Sequence, residues 1–574
     1  MFTDDLIQNG ALRLTTDTDQ AALVVFDRTT TGPCRRVTAD FEMSCTPGAD
    51  GFSFQILSTS SYGATGLGPF ASAATPPTFL EEPALSHSLA IGFQIHDPYD
   101  YQNLGAHEVS LHWDGVELKK RMSSFDFRTG GFIPIHVEIE FVAGGAEASV
   151  SLAGNTVYDH EFIPGPEPFE ARVAFGARTG SLSFISKLDN VKIDFLDPWT
   201  AFAAPVVVSL CDRVWISGKN QKSEKSARLP KNTAPWERIL LRVRLAEPAN
   251  KFDVLDRGMA FSVLENDELF EIARFITPFA QGGTWFADVT DFQALLRDVR
   301  QFRGFIDTPA PPEGGPLGSG WLLTADLLFF AGEPKWEAFH VENLWNGSPH
   351  YGDAEAPIAS FFTERRPVID PRAGRVKLRF VVTGHGQAPN TGNAAEFLKR
   401  GRMLAAEGNQ IYNLLWRNDC YLNPVRPQSG TWQYSRAGWC PGSEAFPWEV
   451  DVTPLAKPGR PLVLNYTPDP YWNKSIDPAN PARQWVASQL IAYRKVSPVS
   501  PVLEQIRGDS GLILRWPAWA DHHALWSSSS DGEAVSAWTR VEQTPLVQSN
   551  FFVVFIPPGH ETNRSYRLES VAAP

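Results

Sequence analysis

Apolar and polar residues alternate in short runs along almost the whole chain, and this period of two limits its fold more than any other feature. Residues 1–197 alone contain ALRLT, AALVVF, VTADFEM, GFSFQIL, LAIGFQI, VSLHW, IPIHVEIEF, ASVSLAG, ARVAFGA and LDNVKIDF. Such runs are half-buried strands, and turn signals such as Asp114-Gly115 and Gly144-Gly145 separate them. At 574 residues the chain is too long for one core, so three or four domains are expected. Its 45 prolines and 44 glycines against 5 methionines favour sandwiches with many turns.

The domains read as 1–197, 205–332, 336–495 and 502–574. Asp197-Pro198-Trp199 closes the first, and residues 201–205 form a short linker. In the second, ARLP, RILLRVRLA and LLTADLLFF read as strands, with a flexible loop at 309–320. Thr290 and Gln293 fit a capping box, which predicts a short helix over DFQALLRDV. In the third domain, residues 393–416 favour helix by propensity, with Asn393 and Glu396 as a second capping box. VSPVSP at 496–501 is a linker, and the short strands beyond it look like a fibronectin type III or immunoglobulin-like sandwich. That domain shows no chemistry: His522 and His523 are adjacent and do not converge as metal ligands.

The net charge of −14 argues against a nucleic-acid partner. No apolar run reaches the length of a membrane span, so no membrane partner is expected. Residues 1–5 (MFTDD) lack the basic start and apolar core of a signal peptide, leaving a cytosolic protein or a mature secreted one. Cys34 and Cys45 flank a strand that holds them too far apart to bridge, and Cys211 has no obvious partner. Cys420 and Cys440 bracket one loop and are expected to form a disulfide, which favours a secreted or periplasmic location. The sequons at Asn346, Asn465, Asn473 and Asn563 carry no meaning in a bacterial host.

That loop, residues 430–442, reads GTWQYSRAGWCPG. Its glycines and proline exclude a helix interior, so it is a loop held by aromatic packing. Arg436 within it is either pre-organised for bidentate contact with a carboxylate or simply solvated.

The loop strongly resembles the same segment of the bacterial peptide-N-glycosidase F family. Residues 255–258 (LDRG), 271–279 (EIARFITPF), 288–296 (DVTDFQALL) and 393–397 (NAAEF) also look like family motifs in family order. The resemblance covers roughly residues 205–495. It implies an all-β chain in which two tandem jelly-roll sandwiches carry an amidase that releases N-linked glycans from asparagine. It also implies strands rather than helix over 393–416. Asp256 falls at the family's principal catalytic aspartate and Glu396 at its second essential acid. Asp307 falls at a third acid, a glutamate in the family. Arg436 matches an arginine that contacts the aspartate and substrate, and Arg257, Trp432, His385 and Trp439 are further substrate-binding candidates. Pro309 and His385 stand where the family has tryptophans, and Phe252 where it has a cysteine, so the cleft walls differ.

The first domain resembles L-type, concanavalin A-like lectins, with Asp50 in ADGFSF as the candidate sugar-contacting aspartate. Gln94 and His96 replace two acidic ligands of that family's metal site. Asp97, Asp100 and Asn103 follow on what reads as a polar surface loop rather than a cation site.

The reaction implied needs a positioned water, carboxylates and carbonyl polarisation, with no metal and no cofactor. An N-glycoprotein or N-glycopeptide is the expected partner, and a monomer the expected state. Two other classes compete. Copper-dependent peptide monooxygenases share the double sandwich, yet His340, His350 and His385 form no paired-histidine motif. A non-catalytic glycan-binding protein has no need of Asp256, Glu396 and Arg436 together. Since these groups lie within residues 256–436, the first domain is expected to govern reach rather than chemistry, and a fragment of residues 200–495 to keep its turnover.

Overall fold

The computed structural model describes residues 7–66, 83–95, 107–123, 125–199, 202–231, 235–249, 251–309, 319–332, 334–386, 395–472, 481–496, 501–508, 511–517, 520, 523–529, 538–548, 551–558 and 564–570. Their regular structure is nearly all strand, paired antiparallel in eight sheets. Among them, no helix is long and apolar enough to cross a membrane. The loop of Asp97, Asp100 and Asn103, together with His96, lies outside the described residues, as do Asn393, Asn473, His522, Asn563 and most of the 309–320 loop.

The chain divides into two compact units, Met1–Thr200 with Asp419–Pro427, and Ala201–Asn418 with Gln428–Pro574. The first unit is a sandwich of a seven-stranded and a six-stranded sheet. Alternate residues of Cys34–Cys45 and Phe132–Val142 face inward onto Gly51–Ser58 and Ala171–Arg178. Phe41 stacks on Phe54 at 5.8 Å and meets Phe175 edge-on at 4.9 Å. Cys34 and Cys45 end the same strand and are free thiols, as expected.

The 419–427 segment differs from the sequence-based division, which left it in the third domain. Arg426 donates to the Gly115 carbonyl at 3.3 Å, at the turn of the hairpin formed by Glu108–Trp113 and Val116–Met122. Gly115 has φ +74°, and a Cβ there would lie 2.5 Å from the Ala84 carbonyl oxygen. Only glycine lets the turn and the arginine approach so closely.

The second unit holds three further pairs of sheets. Gly258–Glu265, Glu268–Ile276, Val299–Ile306 and Lys222–Arg228 form one sheet of the first pair. Arg375–His385 and Arg483–Lys495 lie centrally in a sheet of the second pair. Arg274, from EIARFITPF, joins these two sandwiches. Its fully buried guanidinium holds Glu271 with two bonds of 2.8 Å and donates to Thr383 Oγ1 at 3.0 Å and the Trp485 carbonyl at 2.6 Å. It also lies 4.2 Å over the Trp485 ring. The third pair, from Glu504 to Ser570, encloses a small core around Leu512, Leu514, Trp516 and Val554.

One local expectation is corrected, and another, the strands implied within 393–416, is met over 400–415. The helix over DFQALLRDV reduces to one 3-10 turn, Thr290–Phe292. The Thr290 hydroxyl bonds Asp288 and accepts the Ile239 N–H, so it ties the turn to a neighbouring strand instead of capping a helix. The segment of helical propensity at 400–415 is a hairpin of Arg400–Ala406 and Asn409–Leu415. Glu407 (φ 48°) and Gly408 (φ 79°) form its two-residue turn, which no helix accommodates. Leu404 and Ala406 fill the core from one face, so tertiary burial overrides propensity.

Candidate active site

Asp256 sits on the loop entering strand Gly258–Glu265. Asp253, three residues earlier, is buried and ties that loop together. Its carboxylate accepts the Leu255 N–H at 3.0 Å, Arg257 Nε at 3.1 Å and Thr308 Oγ1 at 3.0 Å. The Arg257 N–H in turn donates to Thr277 Oγ1 at 2.8 Å. Two side-chain acceptors, Asp253 and Thr277, thus fix the backbone N–H groups on either side of Asp256. Asp256 Oδ2 itself has no hydrogen-bond partner among the described residues and faces Arg436 Nη2 at 3.6 Å.

Arg436 is 0% exposed. Its backbone bridges to Arg417, with N···O distances of 2.7 and 3.0 Å. Its Nη1 donates to the carbonyls of Thr431 and Tyr434 at 2.9 and 2.8 Å, and its Nη2 to Thr431 Oγ1 at 2.7 Å. Its Nε donates to Glu396 at 3.3 Å. The Phe397 and Trp439 rings each lie 4.9 Å from the guanidinium carbon. The loop is therefore a rigid mount, and the solvated-arginine reading fails. Cys420 and Cys440 are disulfide-bonded, while Cys34, Cys45 and Cys211 are free.

Two carboxylates thus face one buried cation. Burial, then repulsion from Asp256, pushes the Glu396 carboxyl up to about 7 against the pull of Arg436. Burial also raises Asp256, with Arg436 opposing it. Arg436 is itself lowered by burial, so the three groups share an uneasy balance of charge.

They open on a cavity of about 670 Å³, whose lining includes Asp307, His385, Tyr434, Trp439, Arg483 and Trp485. That is ample for a saccharide and a peptide segment. Asp307 pairs with Arg483 at 2.6 Å, each side chain 36% exposed. Tyr434, 60% exposed, stands in the same lining. Trp439 is buried, with its indole N–H on the Gly384 carbonyl at 2.7 Å, and His385 stacks on it at 5.2 Å.

Trp432, a substrate-binding candidate from the sequence, is 8% exposed and does not line the cavity. Its loop turns it into the protein, where packing rather than ligand contact accounts for it. Arg257 does line the cavity, but its Nε is committed to Asp253. Asp50, in the first unit, pairs with Arg178 at 2.8 Å. His340 faces Glu342 and His350 faces Asp353, and neither joins His385. Among the described residues, no three His, Cys, Asp or Glu side chains form a metal-binding group.

Sequence reading missed Asp253, Arg483 and Trp485. Asp253 was legible as a second acid three residues before Asp256; nothing local marked Arg483 or Trp485, which reach the cavity only through strand pairing.

Residues 363–494 match the family model described as peptide-N-glycosidase F, C terminal, a span that includes Glu396 and Arg436. A curated relative, peptide-N(4)-(N-acetyl-beta-D-glucosaminyl)asparagine amidase F of Elizabethkingia miricola, is 25% identical over 262 residues, 43% of this chain and 72% of the relative. A similar solved structure is PNGase F, described as a glycosylasparaginase, from Flavobacterium meningosepticum. It has 23% identity, coverage of 52% of this chain and 98% of that one, and a TM-score of 0.45. PNGF-II has 12% identity, 81% and 99% coverage, and a TM-score of 0.39. The exoplasmic/lumenal domain of VIP36, in a Ca2+/Man3GlcNAc-bound form, has 14% identity, 33% and 81% coverage, and a TM-score of 0.25.

Proposed function

We propose that this peptide-N-glycosidase F-like chain is an amidase that hydrolyses the bond between N-acetylglucosamine and asparagine in N-glycoproteins or N-glycopeptides. One observation carries the reading: Asp256 and Glu396 converge on the buried Arg436 at the floor of a saccharide-sized cavity. A purely glycan-binding role leaves no reason to desolvate two acids on one cation.

In this reading Asp256, whose side chain lines the cavity, takes a proton from a water that attacks the carboxamide carbon of the glycosylated asparagine. The C–N bond to the sugar amine then breaks. Glu396, at about 7 and so partly protonated near neutrality, delivers a proton to the departing nitrogen. Aspartate and a 1-amino sugar result. Arg436 makes four hydrogen bonds within the protein and turns its remaining Nη2 N–H toward Asp256. Its role is to orient the two acids rather than to bind substrate directly. Asp307 and Arg483 form the polar side of the cleft.

Mass spectrometry of a glycopeptide incubated with the protein tests this. Conversion of asparagine to aspartate, a gain of about one mass unit, supports the amidase. A retained N-acetylglucosamine stub makes the protein a glycosidase instead.

A further inference from the structure

His385 carries an unused hydrogen-bonding atom in this cavity. Its Nε2 lies 2.7 Å from Thr383 Oγ1, and Arg274 Nη1 donates to the same hydroxyl at 3.0 Å. Thr383 is fully buried, so its hydroxyl hydrogen needs an acceptor. Arginine has none to offer, which leaves His385 Nε2. The imidazole is neutral, because burial and the nearby Arg483 and Arg274 hold its pKa well below the usual histidine value. A neutral ring that accepts at Nε2 carries its hydrogen on Nδ1. Nδ1 makes no hydrogen bond among the described residues and is not sealed from solvent, so it opens on the cavity that the ring lines.

The surroundings of this donor select its acceptor. His385 stacks on Trp439 at 5.2 Å and meets Trp485 at 6.3 Å, so it sits in an aromatic wall. The next residue, Gly386, lines the same cavity as Glu396, and its backbone amide helps to hold down the Glu396 pKa, which places the wall beside the acid pair. The two arginines nearest the ring are already paired, Arg483 with Asp307 and Arg274 with Glu271, so an anionic acceptor gains no free cation here. A hexose hydroxyl gains little from a lone donor in an apolar wall. An acetamido group fits both features, with a carbonyl oxygen for the N–H and a methyl for the indoles.

We infer that His385 is a specificity-determining residue whose Nδ1–H binds the acetamido oxygen of the sugar next to the scissile amide. This rests on the amidase reading for the identity of the sugar, but it concerns binding alone.

Calorimetric titration of the full chain with N,N'-diacetylchitobiose, and with cellobiose as the sugar lacking acetamido groups, tests it. The expected result is chitobiose binding that weakens about tenfold in His385→Phe, which keeps the ring stack but loses the donor, with cellobiose weak and equal in both proteins. Equal chitobiose affinity in both proteins, an equal loss for both sugars, or no chitobiose binding by the wild-type chain overturns the inference. Nitrogen-15 NMR of the wild-type histidines gives a second readout that needs no folded variant. His385 is expected as the Nδ1–H tautomer, with Nδ1 shifting on addition of chitobiose; an Nε2–H ring or an unmoved Nδ1 overturns the inference. His385-dependent chitobiose binding in a chain that cleaves no glycopeptide supports the inference and sinks only the amidase reading.

Discussion

Arg436 Nε lies 3.3 Å from the Glu396 carboxylate, and the backbone binds the same two residues again, since the Ala437 N–H donates to the Glu396 carbonyl at 2.9 Å. The acid and the cation that balances it are thus fixed at both main chain and side chain. Lysine at position 436 keeps one charge but loses the planar fork that spans Glu396, Thr431 and Asp256. Arg436→Lys is expected to lower kcat for glycopeptide cleavage by about 100-fold or more. Steady-state kinetics beside a thermal melt checks this; a variant that folds and turns over at the wild-type rate contradicts the positioning role.

Asp256→Asn keeps shape and removes the ionisable group. Glycan release is expected to fall below detection, with circular dichroism unchanged. Because Asp256 is also a buried acid with a raised pKa, the neutral amide is not expected to lower the unfolding midpoint. Unaltered turnover in a folded Asn variant rules out Asp256 as the base.

The raised pKa of Glu396 makes stability depend on pH. The folded protein holds this proton more tightly than the unfolded chain, whose glutamate titrates near 4.5. Its stabilising contribution is therefore complete below about pH 4.5 and is lost as the pH rises through about 7, a loss of about 3 kcal/mol in all. Glu396→Gln has no proton to lose, so its stability relative to wild type is expected to rise from pH 5 to pH 9. Urea unfolding of both proteins at those pH values measures the difference; parallel curves count against a buried, protonated Glu396.

Thiol titration of the denatured, unreduced protein is expected to find three free thiols, from Cys34, Cys45 and Cys211. Closing a loop of this length stabilises by about 3 kcal/mol, so reduction is expected to lower the unfolding midpoint. Five titratable thiols before reduction contradict the bridge.

The place of residues 419–427 alters the expectation for a shortened chain. Arg426 is held by the Gly115 carbonyl, and the segment groups with Met1–Thr200. A fragment that begins at residue 201 keeps the segment but strips it of these partners. Such a fragment is expected to melt lower than the full chain and to turn over even a short glycopeptide more slowly. A fragment with the full chain's midpoint and turnover supports the simpler division between reach and chemistry.

The sequence alone determined what depends on near neighbours along the chain. A period of two specifies strands, glycine and proline in residues 430–442 specify a loop, and the length of the run between Cys34 and Cys45 keeps those thiols apart. The family resemblance added which residues of the site to watch. Propensity pointed to helix at 400–415 and the resemblance to strands; the tertiary structure supplies the reason for the strands, because burial of Leu404 and Ala406 outweighs a propensity of a few tenths of a kcal/mol per residue. It alone turned Trp432 inward, brought Arg483 to Asp307, and set His385 against Trp439 and Trp485. The reason is the same in each case. Local pattern specifies which element a residue joins, whereas the pairing of distant strands specifies which side chains meet and how far they are removed from water.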